Sequence, residues 1–507
     1  MRKAGVGVWG LGIGGFARLA CVFPFAVFGA SLPQNIERVL GTEPAARTAY
    51  WGIQIVDLAS GKTLFERNAD HFFIPASNTK LLTTALALAR LGPDFTFQTR
   101  VLADGLPDSL GTIHGGLRLV GGGDPNLSSR PIPYRKGAVT GNPLTAIEDL
   151  ADQIVAHGVK RVEGGIVGDD TWYVWQPYAT GWAIEDPESD DGPPVSALTV
   201  HDNAFTLNVR PGAREGDVAV LSLTPPIEFY GFDNRVRTVS AAGERRIEFS
   251  RIPGSLEAHL WGTIPLRDAG QDLVLGIEDP ARYAAIALSR ALEDRGVVVT
   301  GPAAARHQFP GEVADLTRAA EGTTFSGTEL ARRISAPLLE DLRITNKVSQ
   351  NLHAELALRA VARARRNIGS FEAGFEELKA FLAEAGIEPD AYSIHDGSGL
   401  ARLNLVTPAA VVQLLRYMYT SQARENWISL LPVGGQDGTL SLRFGNGPVS
   451  GRIHAKTGSL SHVSALSGYV HRINGEWVAF AILVNNYNNR SAEVRGVMDR
   501  ICNLILE

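Results

Sequence analysis

The chain has 507 residues, 45% hydrophobic and 20% charged, with 54 acidic against 48 basic side chains and a formal net charge of −6. That length accommodates two to four domains and a large core, and the acidic balance gives no electrostatic reason to expect nucleic acid as a partner. Two cysteines, Cys21 and Cys502, exclude a disulfide scaffold and a cysteine-rich zinc site.

In chain order, residues 1–30 read as an export signal. Arg2 and Lys3 precede a short apolar stretch from Leu19 to Ala30 that ends in small residues, too short for a membrane span. Upstream of that stretch, Gly10-Leu11-Gly12-Ile13-Gly14-Gly15 matches G-x-G-x-x-G. Pro24 breaks the helix that a dinucleotide site would need, so the glycines are assigned to the signal. Ala49 to Asp70 alternates as a hairpin about a Ser60-Gly61 turn. Next comes a helix from Ser77 to Leu91, which Ser77 or Asn78 can cap. It is apolar on most faces and therefore expected to be buried.

From about Phe95 to Ala320 the pattern changes to short strands punctuated by Gly, Pro and Asp. Only Pro143 to Gly158 and Ala281 to Gly296 read as clear helices there, so one or two β-rich inserted modules are expected. Helical periodicity returns over Leu338 to Arg366, Phe371 to Gly386 and Thr407 to Ser421. The basic end of the first of these reads as a solvated helix terminus. Alternating strands and a terminal helix from Ser491 to Leu506 close the chain. The expected organisation is an α+β domain formed by residues 31–95 and 325–507, interrupted by a β-rich region over 96–324.

Three polar clusters carry chemistry: Ser77-Asn78-Thr79-Lys80, Ser349-Gln350-Asn351 and Lys456-Thr457-Gly458. Each alone recurs by chance; their order and contexts are specific. A serine hydroxyl is a weak nucleophile until a base takes its proton. On a helix, residues i and i+3 share a face, so the Lys80 amine can reach the Ser77 hydroxyl. Burial disfavours the ammonium and leaves the amine free to act as base. Ser349 and Lys456 are of the right type to extend a proton path. The strand after Lys456 can pair with an acyl substrate, and backbone N–H groups of Ser77 and Ser459 can form an oxyanion hole. A rival reading takes Ser398, with His395 and Asp396, as a triad, but Asp396 stands where a nucleophile elbow needs glycine. His353-Ala354-Glu355 lacks the spacing of a zinc-binding helix.

In this order the three motifs resemble those of the penicilloyl-serine transferases, the penicillin-binding proteins and serine β-lactamases. The long interval between the first and second motifs is similar to that of class C low-molecular-mass penicillin-binding proteins, the D-alanyl-D-alanine carboxypeptidases/endopeptidases. "LVGGGDPNL", "VSALTVHDN", "HDGSGLARLN" and "GRIHAKTGSLSHVSALSGYV" extend the likeness over Tyr50 to Asn486. The resemblance implies a transpeptidase-like core, an antiparallel sheet with helices on both faces, carrying β-rich domains between the first and second motifs. It implies Ser77 as acylated nucleophile, Lys80 as base, Ser349 as proton relay, Asn351 on the substrate's peptide carbonyl, Lys456 as electrostatic aid and Thr457 on the terminal carboxylate. Gly458 and Ser459 continue the substrate-binding strand. It also implies that Asp190 or Asp191 pairs with the free amine of a meso-diaminopimelate side chain.

The expected partners are peptidoglycan stem peptides and β-lactams as covalent inhibitors, with no cofactor or metal, in the periplasm or otherwise exported. Monomer and homodimer both stay open, as does peripheral association with the membrane. A β-lactamase is the rival within the superfamily, opposed by the long insertion and by serine rather than tyrosine at position 349. A non-catalytic wall-binding protein is the rival outside it, opposed by the intact motifs.

Overall fold

The computed structural model describes residues 31–137, 141–319, 325–445 and 449–507. The expected export segment, with Cys21, lies outside the described residues; Cys502 is a buried free thiol. No described helix is long and apolar enough to cross a membrane. Only the elements around the central sheet are labelled below.

Helix α1 (Leu32–Thr42) leads into strands β1 (Tyr50–Asp57) and β2 (Thr63–Arg67). The hairpin forms where alternation predicts it. The Asp57 carboxylate accepts the Ser60 N–H at 2.7 Å, and Gly61 takes the positive φ of 73° that closes the turn. Helix α2 spans Thr79–Leu91, and every residue from Thr79 to Leu88 is buried. Asn78, one of the two expected caps, stands at its N-cap position, but its side chain accepts no first-turn N–H. Ser77 and Asn78 both lie in a 3₁₀ turn, Ala76–Asn78, and the Asn78 amide donates instead to the Lys456 carbonyl at 3.0 Å.

After the insertion come α3 (Leu338–Lys347), α4 (Asn351–Arg366), α5 (Phe371–Glu384) and α6 (Pro408–Thr420). Strands β3 (Ile453–Leu460), β4 (Val463–His471) and β5 (Trp477–Asn485) follow, then α7 (Ser491–Leu506). The sheet runs β3-β4-β5-β1-β2 and is antiparallel throughout, so the first strand lies beside the last, Tyr50 opposite Asn485. Helices α1 and α7 cover one face through Ile36, Leu40, Ile53, Ile482, Val497 and Ile501. Helices α2, α4 and α6 cover the other through Leu82, Leu86, Leu358, Val411, Leu415 and Leu483. Strand β3 is the edge of the sheet, and residues 432–434 meet only its first half from outside: the Ala455 N–H donates to the Pro432 carbonyl and the Gly434 N–H to the Ile453 carbonyl, both at 3.0 Å.

The inserted region has its own core, built around Ile147, Leu150, Ile166, Leu207, Leu260 and Leu288. Its five-stranded sheet orders Ala303–Gln308, Ile166–Val174, Leu117–Val120, Gln98–Ala103 and Thr328–Ile334, and includes parallel pairs. Helices Thr145–Ala156 and Pro280–Glu293 pack on it, and three three-stranded sheets complete the region among the described residues. Thr328–Ile334 returns antiparallel beside Gln98–Ala103, so entry and exit are neighbours. That last strand lies past the expected boundary at residue 324.

Candidate active site

Ser77 sits at the mouth of α2 on a tight elbow. Ala76 adopts φ 48°, a left-handed conformation uncommon for a residue with a Cβ, and Gly399 packs so closely against it that a Cβ there would lie 1.9 Å from the Ala76 carbonyl oxygen. One helical turn on, Lys80 Nζ lies 3.0 Å from Ser77 Oγ, 2.5 Å from Asn351 Oδ1 and 2.6 Å from the Ser398 carbonyl oxygen. The side chain is fully buried. Burial pulls its pKa from 10.5 down to about 7, opposed by the carboxylates of Asp396, Glu355 and Asp191. The amine is therefore held by three oxygen acceptors yet poised to lose its proton.

The helical stretch expected over Leu338 to Arg366 is broken between α3 and α4, and the break carries the second motif. Ser349 adopts φ 66° there, which turns its hydroxyl into the cleft, and Gln350 caps α4 by accepting the Leu352 N–H at 3.1 Å. Lys456 Nζ, also fully buried, donates to Ser349 Oγ at 2.8 Å and to the Thr457 carbonyl at 2.8 Å. Burial and the neighbouring charge of Lys80 push its pKa well below the ordinary lysine value. A proton on Lys80 therefore disfavours one on Lys456.

Along β3, Gly458 meets the nucleophile elbow: a Cβ there would lie 2.7 Å from the Pro75 carbonyl oxygen and 3.1 Å from Ser77 N. Thr457 Oγ1 and Thr439 Oγ1 are 2.8 Å apart. A cavity of about 530 Å³ opens over this edge, lined by Ser77, Ser349, Asn351, Thr457, Gly458 and Ser459, with Asp191, Thr439, Gly399 and Leu400 around them. The three motifs thus converge on one cleft.

Asp191 lines the cleft, and its carbonyl oxygen accepts the Asn351 side-chain N–H at 2.7 Å. Asp190 is not among the lining residues. Burial and the adjacent Asp191 raise its pKa, and Arg130 and Asp202 lie within electrostatic reach. The acidic stretch is fastened rather than loose: Asp186 accepts the Ala183 N–H, and Arg251 of the inserted region binds the Pro187 carbonyl at 2.9 Å.

Beneath the cleft lies a polar layer that motif reading missed. The Asp396 carboxylate accepts from Trp182 Nε1 (2.9 Å), Ser398 Oγ (2.9 Å), Gly399 N (2.7 Å), Ala401 N (2.8 Å) and Asn404 Nδ2 (2.6 Å). These bonds shape the loop whose Ser398 carbonyl receives Lys80. The rival triad is not assembled, because Ser398 is buried against Asp396 while His395 Nε2 turns to Ser393. His353 is fully buried between Asp341 (2.7 Å) and Asp202 (3.1 Å). The two carboxylates lift its pKa to about 9 against the effect of burial. No group of side chains among the described residues could hold a metal ion. The signal for Asp396 was the acid between a histidine and two glycines, a loop-shaping pattern. Trp182 and Thr439 gave none.

A model of the D-Ala-D-Ala carboxypeptidase 3 (S13) family matches residues 32–504. The chain belongs to that family. It is 33% identical over 468 residues to a D-alanyl-D-alanine carboxypeptidase of Actinomadura sp. (strain R39), covering 90% of this chain and 81% of that protein. It is 26% identical over 484 residues to penicillin-sensitive carboxypeptidase A of Dictyostelium discoideum, covering 90% and 87%. The fold is similar to that of penicillin-binding protein 4 from Haemophilus influenzae, with a TM-score of 0.79 at 23% identity over 93% of this chain and 99% of that one. A second structure of that protein, complexed with a β-lactam, gives a TM-score of 0.72. The α+β core with inserted β-rich domains expected from the motifs is the fold this family member adopts.

Proposed function

We propose that this S13 family member is a serine DD-peptidase that cleaves D-Ala-D-Ala ends of peptidoglycan stem peptides, and D-Ala–diaminopimelate cross-links, through an acyl-Ser77 intermediate. The observation that carries this reading is the buried Lys80 amine 3.0 Å from Ser77 Oγ, with its pKa brought to about 7. Neutral Lys80 takes the Ser77 proton as the oxygen attacks the D-Ala carbonyl. The Ser77 and Ser459 N–H groups receive the developing oxyanion. Ser349, bonded to Lys456, returns a proton to the leaving amine, and water then hydrolyses the ester.

In this reading Asn351 orients the acyl peptide, Gly458 and Ser459 pair with it along the β3 edge, and Thr457 holds the leaving residue's carboxylate. Asp191 lines the cleft and meets Asn351 through its carbonyl, and in this reading its carboxylate, or that of Asp190 next to it, receives the amine of a diaminopimelate side chain. β-Lactams acylate the same serine, and the protein works in an exported compartment facing the wall. D-Alanine release from a peptide ending in D-Ala-D-Ala tests the reading: turnover by the wild type and its loss in Ser77→Ala are expected. Equal turnover by the two proteins would reject Ser77 as nucleophile.

A further inference from the structure

The cavity extends past the motif residues to α7, where two arginines join its lining. Strand β3 alternates its side chains between the two faces of the sheet. Ala455 is buried in the core under α7, and Thr457 lies opposite Leu466 of that same core, so Thr457 and Ser459 project on the α7 side while Lys456 and Gly458 face α2. On the α7 side the lining continues with Thr439, Arg443 and Arg495. Arg443 is committed: it holds the carboxylate of Asp499, one helical turn beyond Arg495, so that charge is neutralised. Arg495 is half-buried and makes no ion pair or hydrogen bond among the described residues. An unpaired guanidinium in a concave wall, beside two hydroxyls, has the fork geometry that carboxylates fit and gains most when one arrives.

We propose that Arg495, set beside the Arg443–Asp499 pair, is an anion-binding residue that recognises a carboxylate on the leaving side of the scissile bond. The inference rests on the DD-peptidase reading, in which Thr457 marks the leaving side. Asp191, whose carbonyl meets Asn351 in the same cavity, would repel such a carboxylate, so the cavity sorts the substrate by charge: ammonium near Asp191, carboxylate near Arg495. Two sources share this chemistry, the α-carboxylate of the leaving D-amino acid and a second carboxylate carried only by a cross-linked leaving stem.

The test compares kcat/KM of the full chain and of Arg495→Gln and Arg495→Lys on three substrates: a D-Ala-D-Ala peptide, the same peptide as its C-terminal amide, and a cross-linked stem dimer. Losing a charge-assisted contact should cut the preference for acid over amide about ten- to hundredfold in Arg495→Gln, with Arg495→Lys intermediate. A deficit confined to the cross-linked dimer would support the subsite and assign it to the second carboxylate. Arg495 has no partner in the fold, so thermal melts of both variants should match the wild type. An unchanged acid-over-amide preference in Arg495→Gln, with the dimer also cleaved at the wild-type rate, would overturn the subsite and leave the DD-peptidase reading standing. Failure of the wild type to cleave any of the three would overturn both.

Discussion

Burial gives Lys80 its reactivity, and pH is the perturbation that tests this. A lysine in water has a pKa near 10.5, so at pH 7 only about one amine in three thousand is neutral. In the cleft the pKa is about 7, so about half are neutral and the supply of base rises roughly a thousandfold. The 3.5-unit change corresponds to about 5 kcal/mol of penalty on the ammonium, net of the attraction of Asp396, Glu355 and Asp191. The assay is the second-order rate of acylation by a chromogenic β-lactam from pH 5 to 10. Because the base must be neutral, the rate should rise about tenfold per pH unit below 7 and level off above it. Lys80→Arg keeps a cation but cannot act as base, and should lose about a thousandfold or more at pH 8. A profile flat from pH 5 to 9, a limb near 10, or an active Lys80→Arg protein would refute the reasoning.

Asp396 is the strongest of the charges that hold the Lys80 pKa up. Asp396→Asn should therefore move the acid limb of the same profile to lower pH, and a move to higher pH would contradict that electrostatic assignment. Gly458→Ala places a Cβ 2.7 Å from the Pro75 carbonyl and 3.1 Å from Ser77 N. It should cost about 1–3 kcal/mol of stability on overpacking grounds and about a hundredfold in acylation by displacing the oxyanion-binding N–H; chemical denaturation and acylation kinetics measure the two. His353→Gln removes a buried cation from between two carboxylates and should cost about 3–5 kcal/mol in urea unfolding at pH 6. The folded-state pKa of about 9 lies above the ordinary value of 6.5. That stabilisation is therefore complete below about pH 6.5 and fades as pH rises through 9. An equal cost at pH 6 and pH 10 would show that His353 is not held as a cation.

The parts of the site legible in the sequence are those written in local geometry. Ser77 and Lys80 are one helical turn apart, the charge-poor run behind them implies burial, and Lys456-Thr457-Gly458 opens an alternating strand; all three needed only helix and strand periodicity. What could not be read depends on backbone groups and on distant loops. Lys80 is held by the carbonyl of Ser398, and Asn351 is met by the carbonyl of Asp191, and a carbonyl carries no residue-type signature. Asn78 does stand at the N-cap of its helix, but its side chain caps nothing; its Nδ2 donates across to the Lys456 carbonyl of β3, a tertiary contact that local pattern does not show. Alternation marked the insert as β-rich but could not show its parallel pairs, which are set by the helices packed on the sheet. Arg495, on the last helix, looks in sequence like any solvated arginine and gains meaning only from the cavity it lines.

The central claim is that the Ser77 oxygen becomes an ester during turnover. Incubation of the full chain with a penicillin, followed by intact mass and peptide mapping, tests it most directly. One penicilloyl adduct per chain, on the peptide containing Ser77 and absent from Ser77→Ala, is the expected result. An unlabelled wild type, or a label that persists in Ser77→Ala, would contradict it.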